Sequence, residues 1–86
     1  MNKTNFTLVK ELMDKYTPKT RRFVSTEEVS LITETLQLED ATELELRNMR
    51  DFVVAALGSG SDEEWDKMSA ITHVIDRVLY EKGCAV

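Results

Sequence analysis

ATELELRNMRDFVVAALGSGSDEEWDKMSAITHVIDRVLYEK, residues 41–82, carries two apolar stripes of helical period separated by Gly58-Ser59-Gly60. In the first, Leu46, Met49, Val53 and Leu57 recur at 3-4-4 spacing, and Phe52 and Ala56 widen the stripe. In the second, Trp65, Met68, Ile71, Ile75 and Val78 share a face that Val74 and Leu79 broaden. Apolar residues three and four apart fall on one side of an α-helix. The punctuation agrees. Ser61-Asp62-Glu63-Glu64 is a capping box, and its acids suit the positive end of the helix dipole. Gly58 stands where a left-handed residue often satisfies the last carbonyls, and Lys82 with Gly83 closes the second helix. A three-residue link between helices of about 41–57 and 62–82 leaves them only one way to pack, as an antiparallel α-hairpin.

Upstream, Ser25-Thr26-Glu27-Glu28 repeats the capping box, and Val24 and Val29 occupy the two positions of a hydrophobic staple. Val29, Ile32 and Leu36, with Leu31 beside them, extend that helix over about 26–36. Asp40 or Thr42 caps the next helix, with Glu43 or Glu45 three residues on. At the start of the chain, Phe6, Val9, Leu12, Met13 and Tyr16 share a face over about 5–16. Thr17-Pro18 ends it, because the residue before proline disfavours the α region. Residues 17–24 read as a connector that contains Lys19-Thr20-Arg21-Arg22 and finishes in Phe23 and Val24. The expectation is an all-α protein: a small helical bundle of about four helices (5–16, 26–36, 41–57 and 62–82) in one domain spanning 1–86, with 83–86 as a flexible tail.

Composition fits that reading. A chain of 86 residues with 42% apolar and 31% charged side chains supports a single modest core. One proline and three glycines are too few for the frequent turns of an all-β protein. The lone Cys84 closes no intramolecular disulfide, which favours a reducing, cytoplasmic setting. The opening residues lack a continuous apolar segment, and the longest apolar run, residues 52–57, is far too short to span a bilayer. Small, cysteine-poor and untargeted, the chain leans bacterial or phage. A domain this small without a disulfide staple gains from self-association. The hairpin stripe is broad enough to serve both a core and a partner, so Met49, Phe52, Trp65, Met68 and Ile75 form the expected homodimer face.

Charge is segregated. Residues 1–24 hold six Lys or Arg against Glu11 and Asp14, a balance of +4, and the other 62 residues hold five against fourteen acids, a balance of −9, which gives the net −5. Helix starts account for part of the negative charge, at Glu27, Glu28 and residues 62–64. No structural need explains the basic run Lys15, Lys19, Arg21 and Arg22, the candidate contacts to a partner or to nucleic acid, with Tyr16 and Phe23 as stacking groups. Residues 26–57 also have the outline of a helix-turn-helix, but its second helix would present Glu43 and Glu45 to a polyanion. An acidic surface at residues 27–45 that imitates nucleic acid is a further alternative.

Catalytic and metal-binding patterns are weak. His73, the sole histidine, has Ser69 and Arg77 one turn away, with no orienting acid in register. One histidine and one cysteine eleven residues apart do not make a zinc site, and the acids at 62–66 lack the glycine-punctuated spacing of a calcium loop. Gly58–Ser61 could cradle a phosphate, but three acids follow it directly. The expectation is therefore a small acidic, non-catalytic helical protein without cofactor or metal. It would act through protein–protein contacts as a regulator, adaptor or inhibitor. The alternative is a nucleic-acid-binding regulator that uses Lys15–Arg22.

Overall fold

The computed structural model describes residues 4–18, 23–56, 58 and 60–83. It is an all-α bundle of four helices: α1 (Asn5–Lys15), α2 (Thr26–Thr35), α3 (Glu43–Ala56) and α4 (Asp62–Glu81). Each helix start is held by a hydroxyl that accepts a main-chain N–H three residues on, which satisfies one of the orphan donors of a first turn. Thr4 accepts from Thr7 and Ser25 from Glu28, both at 3.2 Å. Thr42 accepts from Glu45 at 3.2 Å, and Ser61 accepts from Glu64 at 3.3 Å. Of the two caps open for α3, Thr42 is the one used, so the helix begins at Glu43 rather than near residue 41.

Helix ends are set by equally local chemistry. At α1 the Tyr16 N–H still reaches the Leu12 carbonyl (2.7 Å), but Tyr16 itself has turned extended ahead of Thr17-Pro18. α2 closes in a Schellman motif: Leu38 N–H donates to the Thr33 carbonyl (3.0 Å) and Gln37 N–H to that of Glu34 (3.2 Å). That motif needs a left-handed residue, and Gln37 supplies it at φ 55° despite its Cβ. α4 ends more comfortably on Gly83, at φ 82°. Leu57, Ser59 and the tail residues 84–86 lie outside the described residues. Gly58 lies within them, but among the described glycines only Gly83 has a positive φ, so the left-handed cap expected at Gly58 is not seen.

α1 packs on α2 and α3, and α4 packs on the same two, so the helices close a ring around one core. α3 and α4 form the antiparallel hairpin: a short link joins the end of α3 to the start of α4. At the other end, Lys82 Nζ donates to the carbonyl of Glu39 just ahead of α3 (3.2 Å). Arg50 on α3 and Asp76 on α4 bridge the pair at 2.5 Å. α2 and α3 do not form a helix-turn-helix unit. Seven residues separate them where that motif has a turn of about three or four, and each packs on α1 and α4 instead.

The core contains Leu12, Ile32, Leu36, Leu46, Val53, Ile71, Ile75 and Leu79, all fully buried. Each such side chain contributes about 1.5–3 kcal/mol of burial. Leu36, Leu38 and Ala41 extend the core into the α2–α3 link, which pins that link from below. The apolar stripes differ from their sequence reading at two edges. On α1 the buried positions are Leu8, Val9 and Leu12, with Tyr16 at the cap, while Phe6 is 57% exposed at the rim. On α4 the stripe begins at Met68, because Trp65 stands in the first turn and is 51% exposed.

Candidate interaction surfaces

The ends of the basic connector are fastened together. Tyr16, the last residue of α1's apolar face, is buried, and its hydroxyl donates to the buried carboxylate of Glu28 in the first turn of α2. The second Glu28 oxygen accepts the Ser25 N–H (3.4 Å), completing the capping box. One carboxylate therefore both starts α2 and anchors α1 to it. Burial, then the hydrogen bond to Glu28 and the carboxylate's negative charge, hold the Tyr16 hydroxyl well above its ordinary pKa of 10.0. The two described ends of the connector, Tyr16 and Ser25, thus meet on one carboxylate. Of its nominated contacts, Lys15 is exposed in α1's last turn, where a cation suits the helix dipole. Lys19, Arg21 and Arg22 lie outside the described residues.

The residues nominated for self-association separate into two groups. Met49, Met68 and Ile75 are buried in this chain's own core. Phe52 is half-buried and Trp65 is exposed. Phe52 meets Phe6 edge to face, with ring centroids 5.5 Å apart, across the seam between α1 and α3. Four of the six aromatic side chains, namely Phe6, Phe23, Trp65 and Tyr80, are more than half exposed.

A groove of about 780 Å³ runs between α2 and the C-terminal half of α4. Val29, Val74 and Val78 supply its apolar lining. Its polar lining includes Glu34, Gln37, Glu39 and Asp40 from α2 and the link, with Arg77, Glu81 and Lys82 from α4. The two cations are engaged. Arg77 pairs with Glu81 (3.3 Å), and Lys82 donates to a main-chain carbonyl. Among the described residues the carboxylates of Glu34, Glu39 and Asp40 have no cation against them. Their positions at and beyond the α2 C-terminus, the negative end of its dipole, add to the local negative potential.

His73 is exposed on α4, away from the groove lining. No group of three or more His, Cys, Asp or Glu positioned for a metal occurs among the described residues, and none of their helices is long and apolar enough to cross a membrane. No protein-family model, curated protein or solved structure matches the chain.

Proposed function

We propose that this chain is a small acidic, non-catalytic interaction protein, a regulator, adaptor or inhibitor, that works through its helical surface and self-associates. The observation that carries the reading is the placement of its aromatics. A bundle with a closed core leaves Phe6, Phe23, Trp65 and Tyr80 largely in water. Such side chains are expensive to expose and dominate the energetics of protein interfaces. The exposed, isolated His73 and the open, charged groove suit binding better than chemistry that needs an enclosed, dry site. A cytoplasmic setting and a bacterial or phage origin belong to the same proposal, supported by the single cysteine. Affinity capture from host lysate with mass spectrometry tests it, with a Phe6→Ser, Trp65→Ser variant as control. Retrieval of a protein that the variant fails to retrieve is the expected result. Equal capture by both forms would sink the aromatic-surface reading.

One observation favours the second reading, nucleic-acid binding through the connector: the Tyr16–Glu28 clasp fixes both ends of the segment that carries Lys19, Arg21 and Arg22. That reading predicts oligonucleotide binding that weakens steeply with salt. It is lost if fluorescence anisotropy shows no binding even at low ionic strength.

A further inference from the structure

Building on the self-association reading above, we propose that the groove between α2 and α4 receives the basic connector, Lys19-Thr20-Arg21-Arg22, of a second copy of this chain. The groove has the chemistry that lysine and arginine need. Their aliphatic stems can lie along Val29, Val74 and Val78 while the charged heads meet the carboxylates of Glu34, Glu39 and Asp40. Among the described residues those three acids have no cation against them, and Arg77 and Lys82, which share the groove, are already engaged by Glu81 and by the Glu39 carbonyl.

The segregation of charge along the chain identifies the occupant. Every described residue lining the groove comes from residues 25–86, of net charge −9, and the densest cationic run lies in residues 1–24, of net charge +4. Within one copy the connector is tethered by the chain to the far end of α2. It leads into the N-terminus of α2, whereas the unpaired acids gather near and beyond that helix's C-terminus, about 15 Å further along for ten helical residues. A second copy is not tethered in this way. Reciprocal exchange, each connector in the other's groove, closes a two-fold dimer with both charged surfaces used and none left to propagate. The clasp between Tyr16 and Glu28 adds pre-organisation, because the connector's ends are already fixed before binding.

The test is a charge swap read by sedimentation velocity and light scattering, with circular dichroism to verify the fold of each variant. Connector variant K19E/R21E/R22E and groove variant E34K/D40K are measured alone and mixed. Both groove positions are suited to substitution: Asp40 is exposed in the link, and a cation at position 34 suits the C-terminal turn of α2. The wild type is expected to be a dimer whose dissociation constant rises at least about tenfold between low and high salt. Each variant alone is expected to be monomeric, and the mixture to restore a heterodimer. Three results would overturn the proposal: a wild type that stays monomeric at about 100 µM and low ionic strength, variants that dimerise as well as the wild type, or a mixture that fails to restore assembly. A monomeric wild type that binds an oligonucleotide would assign the connector to nucleic acid instead. None of these outcomes changes the lysate-capture result, so a failure here is separable from a failure of the broader interaction reading.

Discussion

Replacing Tyr16 with phenylalanine removes a single oxygen from the interior and leaves the ring, so it isolates the clasp from packing. The hydroxyl donates to Glu28, and both residues are buried. A hydrogen bond to a charged acceptor is worth about 1.5–3 kcal/mol, and a buried acceptor left short of a donor costs a similar amount. Because the ring remains, no cavity term adds to this, and about 2 kcal/mol is expected. For a domain of 86 residues the total stability is about 4–13 kcal/mol, so the loss is a sizeable fraction of the whole. Urea denaturation followed by circular dichroism should show a midpoint about 1–2 M lower with an unchanged slope. The thermal midpoint should fall by about 10 °C. A double-mutant cycle with Glu28→Gln, which keeps a side chain able to serve at N3 of the capping box, should return a favourable coupling above about 0.5 kcal/mol. The pH dependence gives an independent check. Tyr16 has a folded pKa above its unfolded value of 10.0, so the folded state holds the proton longer. Its contribution is fully present below pH 10 and is lost as pH rises beyond that toward the folded pKa. Wild type should therefore lose stability above pH 10 more steeply than the phenylalanine variant. An unchanged midpoint, zero coupling and parallel alkaline slopes would show that Tyr16 and Glu28 are merely neighbours.

Gln37→Gly should raise stability by about 0.5–1 kcal/mol, because glycine adopts the left-handed Schellman position without the Cβ penalty; a lower urea midpoint would refute the strain at φ 55°. Val53→Ala, at a fully buried position of α3, should cost about 2–3 kcal/mol through lost burial and a residual cavity, and a change under about 0.5 kcal/mol would mean the α3 core face is wrongly placed. Trp65 is the sole tryptophan and half exposed, so its emission should be red-shifted in the isolated chain and move to the blue when a partner covers it. Trp65→Ser should alter folding stability by no more than about 0.5 kcal/mol, and a large loss would make Trp65 a core residue rather than a contact.

Features encoded within a few consecutive residues are legible in the sequence, whereas those that two segments must share are not. Helix starts were legible because a hydroxyl and an amide three residues apart contain the whole device, as at Ser25, Thr42 and Ser61. The hairpin was legible because a short link excludes other packings. The edges of the stripes were not: at Phe6 and Trp65, periodicity sets a face, but only the neighbouring helix decides where that face stops being covered. Gln37 was illegible for a different reason. Its left-handed backbone is imposed by the burial of Leu36 and Leu38 on either side, against its own preference. The clasp needed both kinds of information. A tyrosine that ends an apolar stripe must find a partner for its hydroxyl, and Glu28 was already assigned to a cap, yet nothing local joins residues twelve apart across a proline. The basic connector is therefore better understood than its composition allowed. A free segment would lose conformational entropy over its whole length on binding, whereas one closed at Tyr16 and Ser25 has lost part of it during folding. Loosening the clasp should thus weaken whatever the connector binds, although Tyr16 and Glu28 are themselves buried and Tyr16 is not free to stack. In the Tyr16→Phe variant, partner affinity and folding stability should fall together.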